Sequence, residues 1–372
     1  MMSLLSDVAE YVNEKISMAD FDNSLYISTD SMLKNRCGIT SPESIPTSGK
    51  VSRYQPKDIL VSNIRPYFKK IWYADRIGGC SNDVIVFRAK SNIDSLFLYY
   101  VLSDDCFFEH MMTGANGTKM PRGNKKLIPT FAFNIFDLPT QKTISKILSR
   151  YDRLIQNYRR QILLLEESAQ RSYKKWFIDL QFPGYKNVQF VDGIPCSWTK
   201  KRISDVCELS AGKDKPSIVS DIITKECNIP IYSNGITDEG LYGYTPESRI
   251  DKESVTISAR GTIGYAFLRL HPYVPIVRLL VLVPKENISA KFIYLWASQK
   301  EIRGNGAAQQ QLTVPLFKNE EILIPDPVTM NEFALLMDRQ YNKIDNLQSQ
   351  IKLLTEARDR LLPKLMNGEI KV

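Results

Sequence analysis

Histidine is almost missing from this 372-residue sequence: His110 and His271 are the only two. The six cysteines, Cys37, Cys80, Cys106, Cys196, Cys207 and Cys227, lie far apart and form no Cys-x-x-Cys pair. Both facts argue against a zinc site, and scattered thiols suit a reducing cytoplasm. No stretch approaches 18 uninterrupted apolar residues, and the start, MMSLLSDVAEYVNEK, carries acids rather than a long apolar core, so neither a membrane span nor a secretion signal is expected. Enzyme signatures are equally scarce. An Asn- or Asp-Pro-Pro-aromatic loop for gripping a flipped base is absent, and Gly49-Lys50 and Gly212-Lys213 lack the earlier glycine and the following Ser or Thr of a phosphate loop. Gly304-x-Gly306 does not sit between a strand and a helix as a dinucleotide site requires. Asp326, Glu369 and Lys371 only superficially resemble the carboxylates and lysine of a magnesium nuclease.

What is present begins with charge. Lys and Arg number 49 against 41 Asp and Glu, a formal net charge of +8, which favours a polyanionic partner but by itself also fits an ordinary soluble protein. With 43% hydrophobic residues, a chain of this length buries more than one core, so at least two domains are expected.

An internal repeat organises them. At a shift of 189, Asn116-Gly117 falls on Asn305-Gly306, and Ile155, Tyr158, Gln161, Ile162 and Leu165 fall on Ile344, Leu347, Gln350, Ile351 and Leu354, with Arg171 on Arg360. Ser6-Asp7-Val8 matches Ser204-Asp205-Val206 at a shift of 198, so the halves differ by an insertion. Each half reads as a mixed α+β globule followed by one long helix. The runs Asp58-Ile-Leu-Val-Ser62, Val84-Ile-Val-Phe87 and Val277-Arg-Leu-Leu-Val-Leu-Val283 are predicted strands. In the first long helix, Tyr151, Ile155, Tyr158, Ile162, Leu165 and Ala169 keep a 4-3-4-3-4 spacing; in the second, Ile344, Leu347, Ile351, Leu354 and Leu361 repeat it, with Arg358 interrupting. About 35 helical residues make a rod of roughly 50 Å. Either each helix packs on its own domain, or the two bury each other, most economically as an antiparallel pair with an approximate two-fold relation.

The expected division is residues 1–140 as a first domain, 141–178 as a central helix, 179–198 as a linker, 199–328 as a second domain, 329–366 as a C-terminal helix and 367–372 as a tail. The linker rests on the turn residues of Gln181-Phe-Pro-Gly-Tyr185 and Gly193-Ile-Pro195.

Several stretches then resemble the specificity subunit of type I restriction-modification systems across essentially the whole chain. They are Ser62-Asn-Ile-Arg-Pro-Tyr-Phe-Lys-Lys70, Gly78-Gly-Cys-Ser-Asn-Asp83, Met120-Pro-Arg-Gly-Asn-Lys-Lys126, the helix from Tyr151 to Phe177, Gly193-Ile-Pro-Cys-Ser-Trp198 and Leu361-Leu-Pro-Lys-Leu-Met-Asn-Gly368. The resemblance implies two target recognition domains, each reading half of a split double-stranded DNA sequence, and two helices that act as a ruler. It implies no catalysis and no cofactor on this chain. S-adenosylmethionine, ATP and magnesium would belong to partners, namely two methyltransferase subunits and the restriction subunits. One departure is that no tryptophan precedes the first domain as Trp198 precedes the second.

Candidate DNA contacts fall in four places. Lys119, Arg122, Lys125 and Lys126 form an acid-free loop that can follow phosphates and place Arg122 on a guanine edge. Its counterpart holds Arg303, Gln309, Gln310 and Gln311, whose amides suit adenine instead. Asn63, Arg65, Tyr67, Lys69 and Lys70 follow a predicted strand, with Ser258, Arg260 and Thr262 in the comparable place of the second half; alternation would set their polar members on one open face. For each segment a solvated loop or strand is the plain alternative. For the chain, the alternatives are a stand-alone methyltransferase or nuclease, and a coiled-coil interaction protein without DNA affinity.

Overall fold

A computed structural model describes residues 2–115, 117, 119–300 and 312–372. The chain divides into two compact units, Met1–Tyr158 with Ser349–Val372, and Arg159–Gln348. Both division points fall inside a long helix.

In the first unit an antiparallel sheet runs in the order Ala9–Tyr11, Val84–Ala89, Ile59–Ser62, Ile71–Tyr73. The run Asp58–Ser62 shows no polar alternation because both faces of its strand are covered. Ile59 and Val61 enter one core with Ile85, Phe87, Phe97 and Phe107, while Leu60 enters another with Val84, Val86 and Tyr54. A second sheet, Lys15–Ser17, Lys50–Tyr54, Gly78–Cys80 and Tyr26–Ile27, is built from the segments between those strands. Helices Ser95–Ser103 and Asp105–Thr113 follow, each capped by an aspartate side chain that accepts a backbone N–H, Asp94 from Phe97 and Asp104 from Cys106.

The second unit repeats this order. Its sheet is Cys207–Ala211, Leu280–Pro284, Ser254–Ile257, Ala266–Arg269, and its helix Ala290–Gln299 stands where Ser95–Ser103 stands. The shift between halves is 198 at Ala9 and Cys207, 195 at Ser95 and Ala290, and 189 at Leu138 and Pro327. Most of the drift therefore falls between the Ser95 helix and the start of the long helix. The Ser-Asp-Val match has a physical origin. Each triplet closes a one-turn helix in which Asp7 accepts the Leu4 N–H at 3.0 Å, or Asp205 the Arg202 N–H at 3.1 Å. A lysine then covers the free carbonyls, Lys90 to Ser6 at 2.7 Å and Lys285 to Ser204 at 2.9 Å.

Two elements differ from expectation. Val277–Leu279 is not strand: Val277 and Arg278 adopt left-handed backbone, and the strand starts at Leu280. That kink lets Val277 and Arg278 donate to Lys213 and Gly212 at 3.0 and 2.8 Å. The segment 179–198 is more than a tether, since Phe182 and Trp198 lie in the second unit's main core.

The central helix spans Leu138–Tyr173 and continues as a wider turn over Lys174–Ile178; the C-terminal helix spans Pro327–Met366. Within the first unit, the start of one meets the end of the other, Ile144 and Leu148 sharing a core with Leu362 and Leu365. Within the second, Ala169 and Tyr173 share a core with Phe333, Met337 and Tyr341. Both pairings are antiparallel, and in each unit both helix segments pack on that unit's globule, so each long helix packs on its own domain near its start and on the other half's domain near its end while also pairing with the other helix.

Candidate nucleic-acid interface

Two basic segments, far apart in the first half, are stitched into one surface by main-chain bonds. The Arg65 N–H donates to the Pro121 carbonyl at 2.8 Å, and the Gly123 N–H to the Asn63 carbonyl at 3.2 Å. Gly123 fits because an added Cβ would stand 3.0 Å from Asn63 Oδ1 and 3.1 Å from Met111. Residues 63–70 are not the alternating strand expected from the sequence. Pro66–Phe68 is one turn of 3-10 helix flanked by left-handed Arg65 and Lys69, which reverses the chain and lifts Tyr67 outward, 47% exposed. Asn63 is therefore buried rather than on an open face, and Lys70 turns in to donate to the Thr29 carbonyl at 2.5 Å. Burial pushes the Lys70 ammonium below the usual lysine range, with Asp30 opposing that shift.

The cations here are unevenly committed. Lys119, Lys125 and Lys126 are exposed, and Arg122 is 56% exposed beside Asp83 at 3.2 Å. Lys69 contacts Asp105 at 2.8 Å, where Arg36 also binds. Burial works against ionising Asp105, but these two cations hold its carboxyl below the usual range. Among the described residues, four buried side-chain polar atoms lack a hydrogen-bond partner, and two of them are here, Asn63 Oδ1 and Arg65 Nε. Orphaned buried groups cost stability, and these two lie side by side at the junction.

Segment 34–38 belongs to this surface and was not visible in the sequence reading. Asn35 and Arg36, both left-handed, donate to the carbonyls of Phe68 and Lys69 at 2.9 and 3.0 Å, and the Lys34 ammonium lies 4.4 Å over the Phe68 ring. The tripeptide Lys34-Asn35-Arg36 before Gly38 carries a basic turn signal, but only its pairing with 68–69 gives that signal a place.

The second half builds the same junction. The Leu312 N–H donates to the Ala259 carbonyl at 3.0 Å, and the Ala259 N–H donates to Asn234 Oδ1 at 2.7 Å. Arg260 and Thr262 are exposed, whereas Ser258 is 1% exposed and its hydroxyl donates inward to the Arg260 carbonyl, so Ser258 is no surface contact. Arg303, Gln309, Gln310 and Gln311 lie outside the described residues; their segment ends at Leu312, beside Ala259. The Gly-Lys pairs have backbone reasons: a Cβ on Gly212 would sit 2.6 Å from the Ile276 carbonyl oxygen, whereas Gly49 lies in open space but takes a φ of +103° that favours glycine. Asp326 is a helix cap, accepting from Thr329 and from Trp198 Nε1 at 3.2 Å, and these bonds hold its carboxyl low against the effect of burial.

A duplicated junction of this kind should leave a duplicated family signature. The type I restriction modification DNA specificity domain matches residues 3–167 and again 195–356. The chain belongs to that family. It is a DNA-target recognition subunit with two specificity domains. The MjaIX specificity subunit of Methanocaldococcus jannaschii is 26% identical over 76% of this chain and 71% of its own. The HindI specificity subunit of Haemophilus influenzae is 21% identical over 98% of both chains. The type I restriction-modification S subunit of M. genitalium, 15% identical, has the same fold, with a TM-score of 0.61 over 98% of this chain and 96% of that one. Among the described residues of this specificity subunit, no helix is long and apolar enough to cross a membrane.

Proposed function

We propose that each specificity domain reads one half of a two-part double-stranded DNA target through its stitched loop junction, and that the long helices set the gap between the halves. The observation that carries this reading is the repeated main-chain bond of the junction, Gly123 N–H to the Asn63 carbonyl in the first half and Leu312 N–H to the Ala259 carbonyl in the second, around which the side chains differ. The first half offers Arg122 with Lys119, Lys125, Lys126, Lys69 and Tyr67. The second offers Arg260 and Thr262 and leads into Arg303 and the glutamines 309–311. One frame with two chemistries suits two different half-sites: arginine forks favour guanine, amides favour adenine, and exposed lysines follow phosphates.

In this reading the chain also assembles two methyltransferase subunits and the restriction subunits in the cytoplasm, and does no chemistry itself. S-adenosylmethionine, ATP and magnesium act on those partners. Co-expression with its methyltransferase partner, followed by single-molecule mapping of methylated adenines, should return a split motif with a fixed gap that vanishes when the chain is deleted. A stable complex that yields no such motif would defeat the proposal, and turnover by the lone chain with magnesium and S-adenosylmethionine would defeat its non-catalytic part.

A further inference from the structure

A repeated chain with two matching helical seams faces a pairing problem. The central helix can pair with the C-terminal helix of its own chain, or with the central helix of a second copy, because the repeat gives both nearly the same stripe. The structure carries a charged break in that equivalence. In the first unit, Arg358 Nη1 donates to Asp152 Oδ1 at 2.6 Å, and Tyr100 Oη donates to Asp152 Oδ2 at 2.6 Å, with the arginine side chain 8% and the aspartate 19% exposed. The repeat shift carries Asp152 to Tyr341 and Ala169 to Arg358. In the second unit those counterparts carry no charge: Ala169 and Tyr341 are buried in one core, and their neighbours Ser168 and Gln340 share a hydrogen bond at 3.4 Å.

We propose that Asp152 and Arg358 select the partner of each long helix, favouring pairing within the chain over pairing of like helices between copies. In the observed register aspartate meets arginine, and alanine meets tyrosine. In a pair of central helices, Asp152 of each copy would face Ala169 of the other, leaving two half-buried carboxylates with only the Tyr100 hydroxyl. In a pair of C-terminal helices, Arg358 would face Tyr341 and keep only its neighbour Asp359, now 2.9 Å away. Parting a buried charge from its opposite across the seam is disfavoured, so each wrong pairing gives up two Asp152–Arg358 contacts while the observed one keeps them.

The test refolds the full-length chain from denaturant at several micromolar concentrations. It then measures mass by light scattering and maps lysine cross-links by mass spectrometry. Lys146 precedes Asp152 by six residues and Lys364 follows Arg358 by six, so the antiparallel register sets them opposite each other. In a like-with-like pair, Lys146 would instead face Lys175 of the other copy; on one helix those two are roughly 40 Å apart, beyond a short linker. Wild type is expected to return as monomer with Lys146–Lys364 cross-links. The variant Asp152→Tyr/Arg358→Ala writes the second half's residues into the first and should return a dimer fraction about tenfold higher or more, with Lys146–Lys175 cross-links. Asp152→Asn/Arg358→Met should do the same, and it serves if the first variant fails to refold. Dimer fractions equal to wild type in the variants that fold, or dimers without the Lys146–Lys175 link, would overturn the proposal.

Discussion

Arg122 holds an exposed guanidinium beside a half-exposed Asp83, an ion pair of the kind that contributes about 0–1 kcal/mol, so it can leave for a base edge at little cost. If it reads guanine, Arg122→Ala should cost about 1–3 kcal/mol on the cognate target and relax specificity at one position of one half-site. Lys125→Ala should instead weaken binding evenly across sequences and lower the salt slope by about 1. Competition binding of the assembled complex on cognate and scrambled duplexes separates the two, and equal losses on both for Arg122→Ala would make it a phosphate contact. A second residue-scale prediction concerns thiols. Burial pushes Cys80 and Cys207 from an ordinary 9.0 up to about 12. Both groups have folded values above their unfolded ones, so their stabilisation is complete below pH 9 and is lost as pH rises towards 12. Melting temperature should fall across that window. Cys80→Ala/Cys207→Ala should flatten the fall while lowering the plateau, and an unchanged slope would show that other groups govern it.

At the scale of elements, Arg358 is the instructive position. In the sequence it looks like a flaw in a heptad stripe; in the structure the seam at its level is a buried ion network. Removing one member should therefore cost far more than replacing both. Asp152→Ala is expected to lower the first unit's melting temperature by about 6–12 °C, from a loss of about 3 kcal/mol, whereas Asp152→Leu/Arg358→Met should lie close to wild type. Equal losses in the two variants would show that the network acts only through packing. The long helices, the two-faced strands at Ile59–Ser62 and Val84–Ala89 and the repeat itself were legible because period and composition alone determine them. Residues 63–70 were misread because the left-handed turns at Arg65 and Lys69 are stabilised by remote partners, Pro121 and Asp105, and local alternation says nothing of those. Arg36 and Asn234 escaped notice for the same reason, since their places depend on main-chain groups distant along the chain, at Lys69 and Val277. Ser258 was misplaced because residues 254–259 are buried without a break, so alternation leaves no open face there.

For the whole molecule, duplication separates two jobs that a single domain would entangle. The loop junctions vary in chemistry between halves while the frame that presents them stays constant, so target identity and target spacing should be mutable independently. The proposed ruler gives the sharpest form of this. Deleting one heptad from each long helix, symmetrically and outside Asp152 and Arg358, preserves the seam's phase and shortens each helix by roughly 10 Å, the length of about 3 base pairs. Methylation maps of cells carrying that variant should show both half-sites unchanged and the gap between them shortened by about 3 base pairs. Deleting a heptad from only one helix breaks the antiparallel register and should abolish methylation altogether. A doubly shortened subunit that still methylates at the original gap would mean that the helices hold the complex together without measuring DNA, and that spacing is set by the partner subunits.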